Sequence, residues 1–167
     1  MKGFLKIIGA VAVINILARL VGFAREQFIG IQYGTTVYSD SIINAYTLPN
    51  FLYLVIGGAF TTAFISIYHK TGSSITEYIR RTFTTIVVTI TLVVLLFMAL
   101  ADPILMQFFH VKDPEEYEML RTLYYWMMPS TIMLVLSTWM SGILNVQGRY
   151  NLSAFSVLIY NATFLLI

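Results

Sequence analysis

Three long intervals of the chain contain no Asp, Glu, Lys or Arg: Ser41 to His69, Thr82 to Ala101 and Thr122 to Gly148. A fourth runs from Tyr150 to Ile167. Each of the first three matches or exceeds the roughly 20 residues that cross a bilayer as helix. Inside a bilayer every backbone N–H and C=O must be bonded within the protein, which leaves only helices and closed barrels as spanning structures. The alternation of a barrel strand is missing, so the intervals read as helices. Composition supports this. Of 167 residues, 58% are hydrophobic and 11% charged, against about 25% charged in an ordinary soluble domain. The mean hydropathy is +0.79. The absence of cysteine excludes disulfide scaffolds, Cys-ligated zinc and thiol catalysis. The apolar content excludes disorder. A net charge of +2 gives no argument for nucleic acid; the placement of the charges is what informs. The expected fold class is all-α, a polytopic transmembrane helix bundle with four complete helices and part of a fifth.

The expected helices are about 4–33, 37–68, 75–101, 114–147 and 151–167. The start of the first, Lys2 and Lys6 followed by an apolar run to Ala18, imitates a signal peptide. It lacks a small-x-small exit and stays apolar beyond Ala18, so a retained first spanning helix is expected. Asp113-Pro114-Glu115-Glu116 is a helix start, with an Asp cap, Pro in the first turn and acids at the positive end of the dipole. Asp102-Pro103 repeats the device and predicts a short interfacial helix to His110. Gly72-Ser73-Ser74 and Gly148 read as turns. Lys2, Lys6, Lys70, Arg80, Arg81 and Arg149 fall at one set of helix ends, and Lys112 at the other. That asymmetry predicts a cytoplasmic N-terminus. The acidic loop then faces outward, with Tyr117, Tyr124, Tyr125 and Trp126 suited to an aromatic belt.

A few charges fall inside the spans, where each costs about 2.5–3.5 kcal/mol on insertion scales. Arg19 lies near the middle of the first helix. Glu26 shares its face two turns on, with Gly22 between, and Arg25 is rotated by about 120°. Two readings stand: an internal Arg–Glu pair that locks helices together, or a cavity that binds an anion. Asp40 is either a dipole partner at the start of the second helix or a salt-bridge or gate partner for an Arg of the first. Arg121, three residues after Glu118, reads first as a rim pair. Pro49-Asn50 and Gly57-Gly58 interrupt the second helix. They mark either a hinge and substrate site or a passive kink with close packing. Pro129 reads the same way in the fourth. His69 and His110 offer no metal set. No nucleophile–base pair, phosphate loop or carboxylate dyad is placed, so the chain reads as a transporter without catalytic residues, cofactor or metal.

These residues occur in an order that resembles one family. Arg19-Leu20-Val21-Gly22-Phe23-Ala24-Arg25-Glu26 is similar to the first-helix signature of the MurJ/MviN family, the lipid II flippases of the multidrug/oligosaccharidyl-lipid/polysaccharide exporter superfamily. Tyr33-Gly34, Ser39-Asp40, Asn44-Ala45-Tyr46 and Leu48-Pro49-Asn50 follow its second-helix pattern. Gly58-Ala59-Phe60 with Ala63-Phe64 resembles the next block. Gly142-Ile143-Leu144-Asn145, Gly148-Arg149-Tyr150, Ala154-Phe155 and Asn161 resemble the turn into helix 5. The resemblance implies the N-terminal portion of a two-lobe exporter with about fourteen helices around a cationic cavity. It implies a bacterial cell-membrane protein that flips an undecaprenyl-pyrophosphate-linked peptidoglycan precursor for cell-wall synthesis. The resemblance places substrate contact on Arg19 and Arg25 and a cavity or gating role on Asp40; the reading of the residues themselves adds Glu26, Pro49, Asn50, Gly57 and Gly58 as cavity or gating candidates. Implied partners are the lipid-linked pyrophosphate oligosaccharide, membrane lipid and other cell-wall synthesis proteins.

The chain departs from the family pattern in places. Tyr53 and Leu54 stand near where many members carry an Arg pair, Ser66 replaces a family Pro, and Ser153 and Val157 stand at two further Pro positions. A thinner cationic cavity keeps a flippase for another polyprenyl-linked glycan open. So is a truncated or accessory membrane protein with a structural role. A drug or cation antiporter of the same superfamily would favour acidic cavity residues instead.

Overall fold

The computed structural model describes residues 2–34, 36–68, 70, 75–109, 111 and 113–165. His69, the Gly72-Ser73-Ser74 turn, His110 and Lys112 lie outside them. The described chain is helical throughout, with no strand among the described residues. Its helices are α1 (Lys2–Tyr33), α2 (Val37–Leu52), α3 (Gly58–Tyr68), α4 (Ile75–Ala99), α5 (Ala101–Phe109), α6 (Pro114–Met127), α7 (Ser130–Val146) and α8 (Tyr150–Leu165). One π-helical turn, Tyr53–Gly57, joins α2 to α3. Four stretches are long and apolar enough to cross a membrane: Ile8–Gln32, Tyr38–Tyr68, Ile75–Ala99 and Pro114–Val146. The all-α, membrane-spanning class read from the charge-free intervals is what the structure shows.

The helices group into two compact units, Met1–Gly34 with Ser141–Ile167, and Thr35–Met140. In the first, α1 packs against α8. The buried side chains described there are small: Ala18, Ser153 and Ala154. In lipid, helix association gains little from hydrophobicity, and small residues promote it by letting backbones approach. At the end of α7, the Arg149 N–H donates to the Leu144 carbonyl (2.8 Å) and the Gly148 N–H to the Asn145 carbonyl (3.1 Å). This paired bonding is a Schellman cap, which needs a left-handed residue between its donors. Gly148 supplies it with φ 75°. The Arg149 carbonyl then accepts from the Leu152 and Ser153 N–H groups and opens α8.

The second unit has a continuous helical core. The buried residues of α2 are Ser39, Ser41, Ala45, Leu48, Pro49 and Leu52; those of α4 are Ile86, Ile90 and Val94. Leu120, Tyr124, Met128, Thr131, Val135 and Trp139 carry one buried stripe from α6 into α7. Both sets keep the 3.6-residue period of a one-sided helix. α2 packs on α6, and α3 on α4. Phe64 stacks on Tyr78, with centroids 5.4 Å apart, and meets Trp139 edge-on at 5.6 Å. These rings join α3, α4 and α7.

The expected span over 114–147 is present as Pro114–Val146, and it is interrupted at Met128–Pro129, at the proline read as a kink or hinge. Pro129 has no N–H to donate and its ring crowds the preceding turn. The backbone tightens there: Thr131 donates to the Met128 carbonyl and Ile132 to the Pro129 carbonyl, each across three residues. Ser130 Oγ bonds the Met127 carbonyl at 2.6 Å. The buried stripe runs through the break, so the two helices keep one packing face.

The aromatic belt is also narrower than expected. Tyr124 is fully buried, and Trp126 is 81% exposed. Tyr124 Oη donates to the Phe97 carbonyl (3.0 Å) and Tyr125 Oη to the Met98 carbonyl (3.1 Å). Both carbonyls lie in the last turn of α4, where helices leave acceptors without intrahelical donors. Adjacent tyrosines thus cap a neighbouring helix, a role the sequence pattern did not show.

Replacing Gly148 with Ala forces a Cβ into the left-handed region. The substitution should lower stability by about 1–2 kcal/mol, measured by denaturant unfolding in detergent. Unchanged stability would contradict the assignment of the cap.

Candidate functional site

Two of the charged residues of α1, Arg19 and Glu26, lie on one polar stripe. Asn15, Arg19, Gly22 and Glu26 follow one another at intervals of three or four residues, within about 60° around the helix at 100° per residue. Asn15, Arg19 and Glu26 are exposed. Asn15 Nδ2 donates to the Val11 carbonyl at 2.9 Å, which uses one of its donors on the helix itself. Asn15 went unnoticed in the sequence because it carries no charge; its position one turn before Arg19 was the available signal. Arg19 lies at the middle of the Ile8–Gln32 span, among exposed Ile16, Leu20 and Phe23. α1 also runs through Arg25, whose side chain lies outside those described. A guanidinium at mid-span cannot reach either headgroup layer without strain, and acyl chains offer it no acceptor. A charge at this depth is costly in lipid, which makes the stripe a candidate site.

The second set of expected site residues lies along α2 and α3. Thr36 caps α2, its side chain accepting from the Ser39 N–H at 3.5 Å. Asp40 is exposed in the first turn, where a carboxylate offsets the positive end of the helix dipole. Pro49 is fully buried. Asn50 is half-buried, and its Oδ1 accepts from Tyr46 Oη at 3.4 Å. One turn on, the Tyr53 N–H is shared between the Pro49 and Asn50 carbonyls, and the π turn follows. Pro49 withholds a donor from the preceding turn. A π turn is a local widening that recurs at functional positions in helices. The two glycines differ. A Cβ at Gly57 would lie 3.6 Å from Thr138 Cβ of α7, whereas one at Gly58 would meet nothing within 4 Å. Gly57 therefore marks a close helix approach, and Gly58 an open face. Ser41 Oγ, Thr61 Oγ1, Thr131 Oγ1 and Trp139 Nε1 are buried with no hydrogen-bond partner among the described residues, so this unit also holds polar atoms within its core. Arg19 and Glu26 share one face of α1. Asp40 and the Pro49–Gly58 segment belong to the other unit, and within it they fall at two levels, the start and the interior of one span.

A further cluster appears where the sequence indicated only a pair. Arg121 Nε lies 2.8 Å from Asp102 Oδ1, and its Nη2 bonds Oδ2 at 3.4 Å. The expected partner, Glu118, is at 4.0 Å. Tyr117 Oη donates to the same Asp102 oxygen at 2.9 Å, and the guanidinium lies over the Tyr125 ring at 5.8 Å. The cluster ties α5 to α6. Asp102 was read as a helix-start residue, and its distance in sequence from Arg121 hid the pairing.

Together these features define a multi-pass helical membrane protein with a charged stripe on its first spanning helix and a broken second span. Residues 31–167 match the family described as Lipid II flippase MurJ, and the chain belongs to that family. It is 28% identical over 156 residues to the "Probable lipid II flippase MurJ" of Rickettsia prowazekii, covering 89% of this chain and 31% of that protein. It is 28% identical over 160 residues to the "Lipid II flippase MurJ" of Burkholderia cenocepacia, covering 90% and 31%. The Synechocystis relative is 26% identical over 169 residues, covering 99% and 32%. The chain thus spans about a third of the length of the curated relatives it matches. No solved structure matches it. The family match includes Asp40, Pro49, Asn50, Gly57 and Gly58; the α1 stripe precedes its first residue.

The Asp102–Arg121 pair is partly exposed, at 49% and 37% of each side chain. Screening should therefore keep its coupling small and make it weaken as salt rises. A double-mutant cycle with Asp102→Asn and Arg121→Gln, read by unfolding at low and high salt, checks this. Independent effects of the two substitutions would dissolve the cluster as an energetic unit.

Proposed function

We propose that the chain forms the N-terminal part of a flippase that moves lipid II across the cytoplasmic membrane of a bacterium, for cell-wall synthesis. The observation that carries this reading is Arg19, exposed at mid-span on a polar stripe, in a chain of this family. A pyrophosphate is the kind of group that makes such a position tolerable. A guanidinium is always charged, offers several donors in one plane and binds phosphate oxygens in pairs. In a low-dielectric cavity that attraction is far stronger than in water. In this mechanism Arg19 and Arg25 capture the pyrophosphate and Glu26, on the same helix, limits the surplus positive charge.

The N-terminus is cytoplasmic in this reading, since Lys2, Lys6, Lys70, Arg80, Arg81 and Arg149 fall on that side. Alternating access then needs a span that bends. The segment from Pro49 through the π turn to Gly58 supports that role, because it already lacks regular helical bonding. No covalent step is involved. A second reading, transport of a different polyprenyl-linked glycan, draws on Tyr53 and Leu54 standing near the Arg pair of many members.

Arg19→Ala and Arg25→Ala in the full-length protein should each reduce lipid II translocation at least tenfold, given that one charge-assisted contact is worth about 1.5–3 kcal/mol. Unchanged translocation in both would reject the site. Gly57→Ala tests the bend separately. Its Cβ meets Thr138 at an ordinary contact distance, and Ala favours helix over Gly by about 1 kcal/mol. Stability should hold or rise while translocation slows; equal translocation would remove the hinge role.

A further inference from the structure

The start of α4 carries a second cationic surface, separate from the stripe on α1. Glu77, Arg80, Arg81, Thr84 and Thr85 line one open recess of ≈ 470 Å³. They repeat at helical spacing, and all five are exposed. Their mean direction lies about 150° around the helix from the buried stripe Ile86, Ile90 and Val94, at 100° per residue. The recess therefore faces away from the core of its unit.

Its depth is set by the charge pattern. The charge-free stretch of this helix starts at Thr82 and runs to its last residue, Ala99. At 1.5 Å per residue it is close to the roughly 30 Å of a hydrocarbon core. Arg80 and Arg81 are thus the first charges outside that core. Thr84 and Thr85 lie one turn deeper. Their hydroxyls donate to the Arg80 and Arg81 carbonyls at 3.1 and 2.9 Å, which leaves oxygen lone pairs but no proton for a ligand. The two arginines are not equivalent. Arg81 is paired with Glu77 one turn before it. Among the described residues no carboxylate lies within ion-pair distance of the Arg80 guanidinium.

We propose that this recess binds the phosphate of an anionic membrane phospholipid, with Arg80 as its main contact and Arg81 held in reserve by Glu77. The charge is complementary, and the level set by the charge pattern is that of lipid phosphates. Below the recess the same helix presents exposed Val88, Leu92, Leu95 and Leu96, which suits acyl chains of the same molecule. The proposal rests on the membrane-spanning fold alone. It stands whether or not the protein flips lipid II.

The test is equilibrium binding of fluorescent phosphatidylglycerol to the full-length protein in detergent. Arg80→Gln should weaken binding roughly fivefold, as expected for one basic residue at a lipid surface, and Arg80→Lys should retain most of it. Glu77→Gln, which releases Arg81, should tighten binding. Arg149→Gln removes the same charge elsewhere and should leave binding within about twofold, well short of the loss expected for one basic residue at the lipid surface. Equal losses for Arg80→Gln and Arg149→Gln would overturn the site in favour of diffuse charge. Equal binding of phosphatidylcholine would overturn it as well. Displacement of the lipid by equimolar inorganic phosphate would reassign the recess to free phosphate.

Discussion

A bilayer core has no hydrogen-bond partners to offer, and the rest of this structure follows from that constraint. Each span must bond its own backbone, so the described chain is helical. Each charge must leave the core or have a purpose within it, which is why long intervals contain none. Helix ends meet the same demand. α4 leaves carbonyls at its last turn, and Tyr124 and Tyr125 bond two of them. α7 closes its own end through the Gly148 cap. The breaks at Pro49 and Pro129 each remove a donor, and each is accommodated locally: by a π turn in one case and by tightened bonds with a serine hydroxyl in the other.

The exceptions to this sorting carry the functional argument. Arg19 stands at mid-span on a face it shares with Asn15 and Glu26. Arg121 is different: it pairs with Asp102 near the start of α6 and bridges two helices. Arg80 is different again, lying just outside the hydrocarbon stretch of α4. On the proposed reading an arginine's role depends on depth: at the rim it is a structural clasp, at the headgroup level the proposed lipid contact, and at mid-span the proposed substrate contact.

Much of the fold was legible because charge-free length and proline or glycine punctuation are local signals. Asp113-Pro114 opens α6 with the Asp113 carboxylate accepting from the Glu115 N–H at 3.0 Å, as its sequence implied. Tertiary choices were less legible. Nothing local says that Tyr124 points inward while Trp126 points out, or that Asp102 prefers Arg121. The π turn was not legible either, since Pro49 announces a disturbance without specifying its form. At the candidate site, residue types and spacing along α1 were readable. The difference between Gly57, packed near Thr138, and Gly58, open, needed coordinates.

The measurement that bears most directly on the account is exposure of lipid II on the outer leaflet of cells depleted of their own flippase and supplied with the full-length gene. The account predicts that outward exposure and growth are both restored. Failure to restore them, with the protein shown to be folded and inserted in the membrane, would contradict it.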